Sequence, residues 1–395
     1  MENSPNSKTI FILAGEHSGD LLGGPFIDEF NLLNDHFSFF GIGGDQMIRS
    51  GMESLYPIES LSIMGFWEAL KQYKKLKSIM DGLVKEIVLR KPRLAILIDS
   101  PGFNLRLAKI LKEFEIPVIY YVSPQLWAWK EGRIETVKKY VSLMLTLFKF
   151  EKEFYDKHKV NAQWVGHPLS TRIETKLSQE ITPERPKTNY TIGLLPGSRK
   201  SEIHHLLPEL LKSAKIIYDH FSESNKSLKF IVPNINQKEE EYIQSSLNEF
   251  KSKYPEIPIF YYWDASLSCM NESDILLIAS GTAVLEGVYF AKPMVVVYKL
   301  SYFTYYLGSL IIKTANVSLV NILGKEEICR ELLQSECNPT DISKEAIRIL
   351  ENKPYRDEMV QKIKEVRKEL GKEDSSKKAA RAVFQWMESK GLLST

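Results

Sequence analysis

Two short stretches of this chain carry residue types suited to an oxygen-rich anion. The first is Gly193-Leu194-Leu195-Pro196-Gly197-Ser198-Arg199, with Glu202 just after it. An apolar run from Tyr190 to Leu195 reads as a buried strand that breaks into a tight loop. Gly197 lets a backbone approach a ligand closely. Ser198 and free N–H groups donate to oxygen anions, and Arg199 adds a planar, permanently charged fork suited to phosphate. The implied chemistry is a diphosphate clamp, set against an ordinary strand-to-helix turn with a surface arginine. It is not a Walker P-loop, because no glycine directly precedes Lys200. The second stretch is Ser280-Gly281-Thr282-Ala283-Val284-Leu285-Glu286, which follows an apolar run and opens a helical pattern. Ser280, Gly281 and Thr282 offer hydroxyl and N–H donors at a helix start, which favours an anion. Glu286, a turn further on, has a carboxylate able to accept both hydrogens of a ribose diol. A plain helix cap is the alternative there.

Proton transfer needs a carboxylate or an imidazole. Asp99 directly follows the apolar run Leu94 to Ile98 and is a candidate general base. Burial would raise its pKa and a nearby cation would lower it. Glu16, in the loop after the first apolar run, is the second carboxylate of this kind. His17 and His167 are weaker candidates. Trp127 and Trp129 sit in a loop at a strand end, placed to stack on a sugar, to meet an acyl chain or to join the core. Met64, Phe66 and Trp67 precede a helix bearing Lys71, Lys74, Lys75 and Lys77. An apolar knob beside lysines suits an anionic lipid surface, while a stripe packed on the core is the bland alternative.

Elements must hold these residues at one end of a sheet. Apolar runs at Thr9 to Ala14, Phe37 to Gly41, Leu94 to Ile98, Pro117 to Val122, Leu143 to Phe148 and Gln163 to Val165 alternate with helical patterns. That rhythm predicts an open, doubly wound parallel sheet. It lapses at 170–189 and restarts at Tyr190, with strands expected at Lys229 to Val232, Ile257 to Tyr261, Ile275 to Ala279 and Pro293 to Tyr298. Pro208 predicts a helix start at that residue, too late for its dipole to serve the Arg199 loop. The expected fold class is α/β, with two Rossmann-like domains whose loops face a central cleft. Expected boundaries are 1–177, a linker at 178–189, 190–343, and C-terminal helices at 344–395 that pack on the first domain or on a partner chain.

Whole-chain properties exclude other classes. The 395 residues carry 52 Lys plus Arg against 50 Asp plus Glu, a net +2, which argues against a nucleic-acid partner. Cys269, Cys329 and Cys337 form no metal or redox pattern. GxGxxG is absent, since Gln46 stands where the third glycine would fall after Gly41 and Gly43. No run reaches the roughly 18 apolar residues of a spanning helix, and the polar start lacks a signal segment. A soluble cytoplasmic protein is expected, free to sit on a membrane.

Taken together, the motifs resemble the lipid-A-disaccharide synthases, inverting glycosyltransferases of the GT-B type. The carrying residues are Ala14-Gly-Glu-His-Ser-Gly-Asp20, Gly41-Ile-Gly-Gly44, Met64-Gly65 with Glu68, Ile98-Asp-Ser-Pro101 with Phe103-Asn104, Tyr121-Val-Ser-Pro124 with Trp127-Ala-Trp129, Val165-Gly-His-Pro168, Leu194-Leu-Pro-Gly-Ser-Arg199, Ser280-Gly-Thr-Ala283 with Leu285-Glu286, and Val317-Ser-Leu319 with Asn321. The chain departs from the pattern at Gly102 and Val320. The resemblance implies transfer of 2,3-diacylglucosamine from UDP-2,3-diacylglucosamine to 2,3-diacylglucosamine 1-phosphate (lipid X), releasing UDP. It implies no cofactor and no essential metal. UDP would be held by Gly197, Ser198, Arg199, Glu202, Ser280, Gly281, Thr282, Glu286 and Asn321. Asp99 would act as base, with Glu16 and Arg199 beside the chemistry, and Met64, Phe66, Trp67 and Trp127 toward the acceptor or the membrane. The implied location is the inner face of the inner membrane, with a homodimer left open. The alternatives are a UDP-N-acetylglucosamine 2-epimerase-like enzyme and a non-catalytic nucleotide-sugar-binding protein.

Overall fold

Thr9–Ala14 forms the first strand, β1, and Ile10 to Ala14 have no exposed surface. A wholly apolar run requires burial on both faces of a sheet. The computed structural model describes residues 8–61, 66–124, 126, 131–178, 188–299, 316–371 and 373–393, with main chain alone for 66–73 and 131. After β1 come β2 (Ser38–Gly43), β3 (Glu53–Pro57), β4 (Ala95–Ile98), β5 (Val118–Tyr121), β6 (Leu143–Thr146) and β7 (Ala162–Trp164). They form a seven-stranded sheet in the order β3-β2-β1-β4-β5-β6-β7. All its pairings are parallel.

Helices α1 (His17–Leu33), α2 (Asp45–Arg49), α3 (Phe66–Arg90) and α4 (Pro101–Glu113) belong to this sheet. Asp20 of α1 is fully buried, and its carboxylate accepts from the N–H groups of Gly44, Gln46 and Met47 at 2.9, 3.1 and 3.0 Å. It therefore caps α2 from a neighbouring helix. A Cβ at Gly44 would lie 2.6 Å from Asp20 Oδ2, so a side chain there would displace the cap. The glycines of the Gly41 to Gly44 stretch thus serve a structural joint. Ile79, Leu83 and Ile87 of α3 are buried in the core beside the sheet, so the later part of its apolar stripe is packing surface.

The second sheet repeats the topology. Its strands are β8 (Tyr190–Leu195), β9 (Leu228–Asn234), β10 (Ile259–Trp263), β11 (Ile275–Ala279), β12 (Met294–Tyr298) and β13 (Glu331–Leu333), in the order β10-β9-β8-β11-β12-β13. Again all pairings are parallel. Its helices include α5 (Lys200–Glu223), α6 (Thr282–Tyr289), α7 (Leu319–Gly324), α8 (Pro339–Glu351) and α9 (Lys353–Lys368). Helix α5 begins eight positions before the start expected at Pro208, which lies inside it. A proline in a helix interior removes one hydrogen bond and crowds the carbonyl four residues back, and the buried face of this long helix offsets that loss.

The chain divides into residues 1–168 with 370–395, and residues 169–369. These boundaries differ from those expected. The helix Leu169–Leu177 belongs with the second unit, where Lys176 pairs with Asp264 at 2.8 Å. Helices α8 and α9 stay there too, and only α10 (Ser375–Ser389) joins the first unit. It packs on α1, with Phe384 edge-on to Phe30 at 6.4 Å between ring centroids. No helix among the described residues is long and apolar enough to cross a membrane.

Candidate functional site

In a doubly wound sheet the crevice for a ligand opens where neighbouring strands send their connections in opposite directions. In the first unit that point lies between β1 and β4, whose ends pair Ala14 with Ile98. Glu16 and Asp99 are the carboxylates of the loops that follow. In the second unit it lies between β8 and β11, where Leu195 pairs with Ile278. The loops that follow are Pro196 to Arg199 and Ser280-Gly281. The sequence motifs read as chemical therefore fall at the two switch points.

Asp99 and Ser100 both have left-handed backbone, with φ of 51° and 44°. For residues bearing a Cβ this costs about 1–2 kcal/mol each. The surrounding structure holds the kink. Asp99 N donates to Tyr121 O at 2.9 Å. The Asp99 carbonyl accepts from Tyr120 Oη at 2.5 Å and from Asn104 Nδ2 at 2.8 Å. Asn104 also donates to Ile98 O at 3.1 Å, and Ser100 O accepts from the N–H groups of Phe103 and Asn104. Burial pushes the Asp99 carboxyl upward, the Glu16 charge adds to the rise, and a hydrogen bond from the Ser100 main chain opposes it. A raised carboxylate is a better proton acceptor near neutral pH. Glu16 is exposed at the start of α1 and makes no side-chain cap. His17 is exposed on the same turn. His167 is tied into the fold: its N–H donates to Leu370 O at 2.9 Å and its ring stacks on Phe148.

The second switch point is built from donors. Gly197 has φ of 102°, and a Cβ there would lie 2.8 Å from Glu202 Cβ, so both conformation and space demand glycine. Arg199 is the N-cap of α5. Glu202 Oε2 accepts from Ser198 N at 3.1 Å and Arg199 N at 3.2 Å, and Oε1 pairs with Arg199 Nη1 at 3.0 Å. The carboxylate expected to meet UDP is thus turned onto its own loop. The Arg199 side chain remains 78% exposed. Because α5 starts at Lys200, its N-terminus does aim at this loop, contrary to the expectation from Pro208. Asn236 Nδ2 donates to Ser198 O at 2.7 Å, and Asn234 Oδ1 fixes Asn236 N at 2.8 Å. Asn234 ends β9 and Asn236 follows it, and both escape sequence reading, since they lie far along the chain from the loop they hold.

Across the switch point, Ser280 N still pairs with Val297 O at 3.0 Å. Gly281 is the N-cap of α6 and supplies no side-chain cap, which leaves the exposed first turn at Thr282 open to an anion. Glu286 is half-buried one turn further on.

Asn321 does not keep the ligand role expected of it. It is fully buried. Its Nδ2 donates to Cys329 O at 2.7 Å and Glu331 Oε1 at 2.8 Å, while Oδ1 accepts from Ile328 N at 2.8 Å and Cys329 N at 2.9 Å. An amide has two donors and two lone pairs, so nothing is left for a ligand. Asn321 instead joins Glu331, which also accepts from Val317 N, Ser318 N and Ser318 Oγ, in fixing the turn that starts α7. Met64 and Trp127 lie outside the described residues, as do the side chains of Phe66 and Trp67.

Two all-parallel Rossmann-like halves define an α/β protein of the GT-B class. Solved structures agree on the fold. The calicheamicin glycosyltransferase superposes with a TM-score of 0.61 at 12% identity, covering 98% of this chain and 99% of that one. A UDP-GlcNAc 2-epimerase from Neisseria meningitidis, solved with UDP-GlcNAc, gives 0.56 at 12% identity, covering 96% and 99%. The family is decided by sequence: residues 10–384 match the lipid-A-disaccharide synthetase family model, and the chain belongs to that family of glycosyltransferases. The lipid-A-disaccharide synthase of Acinetobacter baylyi is 38% identical over 372 residues, 91% of this chain and 92% of that one. That of Myxococcus xanthus is 36% identical over 390 residues, 96% and 98% of the two chains. At 12% identity the epimerase supports the fold alone.

Proposed function

We propose that the chain transfers 2,3-diacylglucosamine from UDP-2,3-diacylglucosamine to the 6-hydroxyl of 2,3-diacylglucosamine 1-phosphate, giving a β-1,6-linked disaccharide and UDP. The observation that carries this reading is the family match over residues 10–384. The second unit binds the donor: Ser198, Arg199, Gly281 and Thr282 present N–H, hydroxyl and guanidinium donors to the diphosphate, and Glu286 takes the ribose diol. In the first unit Asp99 removes the proton from the acceptor hydroxyl. The freed oxygen bonds to the anomeric carbon from the face opposite UDP, the bond from that carbon to the diphosphate oxygen breaks, and UDP leaves with the electron pair. Arg199 and the helix start offset the charge growing on the leaving group. Asn321, Asn236 and Glu202 shape the loops.

We infer that the enzyme works at the cytoplasmic face of the inner membrane, a reading supported by the acyl chains of its substrates, which partition to a lipid surface. Lys74, Lys75 and Lys77 are exposed on α3 and suit an anionic lipid surface. The test is incubation with both substrates in detergent, followed by detection of disaccharide and UDP. Folded protein that binds UDP but makes no disaccharide contradicts the proposal.

A further inference from the structure

We propose that Glu202 is a built-in counter-anion of the phosphate loop, occupying the donors that a nucleoside diphosphate needs and giving them up when that ligand binds. This rests on the reading of Ser198 and Arg199 as diphosphate ligands. Three donors converge on the one carboxylate: Ser198 N, Arg199 N and Arg199 Nη1, at 3.1, 3.2 and 3.0 Å. A capping box needs only the bond from the third helical residue back to the N-cap N–H, and glutamine serves there as well as glutamate. Here the N–H of the preceding residue and a guanidinium are engaged too, so capping alone does not account for the charge. The Glu202 side chain is 12% exposed, and the left-handed turn at Gly197 folds the loop around it. In effect a carboxylate already sits where a helix N-terminus, two amides and an arginine invite an anion.

The N–H groups of Ser198 and Arg199 are single donors and cannot serve the carboxylate and a diphosphate together. Two anions a few ångströms apart also repel each other. Binding is therefore an exchange, in which Glu202 rotates out as the diphosphate comes in. Affinity for UDP is held down by the competition. As UDP departs, the carboxylate, tethered in place, reclaims the amides and speeds release. Product release limits turnover in many enzymes that close around a ligand, so a competitor that loosens UDP has a clear use.

The test is UDP calorimetry on the full chain, comparing wild type with Glu202→Gln. Glutamine preserves the cap and removes the charge. The expected result is UDP binding about tenfold tighter in the variant, with slower UDP dissociation and a matching thermal midpoint. Equal or weaker binding by a folded variant overturns the inference while leaving the UDP site standing. Failure of the wild type to bind UDP at all overturns both. A structure of the wild type with UDP gives an independent check. Glu202 is expected beyond about 3.5 Å from Ser198 N and Arg199 N, and persistence of both bonds beside bound UDP overturns the proposal.

Discussion

The two switch points share one topology and have opposite electrostatics. Between β1 and β4 the chemical group is an acid held by its main chain: Asp99 sits in a left-handed kink whose carbonyl is gripped by Tyr120 and Asn104, and burial discourages its charge. Between β8 and β11 the chemical groups are donors: amides at two helix starts and a largely exposed guanidinium. The first arrangement suits taking a proton and the second suits holding negative charge. Similar strand orders thus carry different loop residues, which is why fold alone could not have separated this chain from an epimerase.

Removing either arrangement should break the comparison in a different way. Asp99→Ala is expected to have the largest effect, lowering disaccharide formation by about 10²–10⁴-fold, read as turnover at saturating substrates. Arg199→Ala should follow, reducing turnover by about 10²-fold and also weakening UDP binding by calorimetry. Tyr120→Phe deletes one of the two side-chain bonds to the Asp99 carbonyl at almost constant volume. We expect kcat to fall about tenfold with KM within about twofold; a lowered thermal midpoint with unchanged kcat would show that Tyr120 serves stability alone. The smallest effect concerns the fold. Because the folded-state pKa of Asp99 is raised, its ionised form is a burden on the native state. That burden is absent in acid, where both folded and unfolded chains bind the proton, and grows as pH rises through the folded pKa. Asp99→Asn should therefore raise the melting midpoint at neutral pH, with the gain closing as pH falls below the ordinary carboxylate range.

Much of the scaffold was legible because a parallel sheet buried on both faces writes its strands as unbroken apolar runs. Tyr190 to Leu195 and Ile275 to Ala279 were readable to the residue. The strands left unread, Glu53–Pro57 and Glu331–Leu333, are short edge strands with polar residues, where alternation and burial signals fade. The helix start at Lys200 was misread because Pro208 gave a strong local cue, whereas Glu202 three places after the N-cap was the better one. Side chains acting at long range left no signal at all: Asn236 reaching Ser198, Tyr120 reaching Asp99, and Glu331 reaching Ser318 and Asn321. Asn321 shows the limit plainly. Its place in a motif marked it as important, but only its four hydrogen bonds reveal that it holds a turn.

The division of labour between the two switch points is tested most directly by UDP calorimetry on the Asp99→Ala chain beside the Arg199→Ala chain. The account predicts wild-type UDP affinity in the first and a clear loss in the second. Loss of UDP affinity in Asp99→Ala, or its retention in Arg199→Ala, would contradict the assignment of proton transfer to one unit and of anion binding to the other.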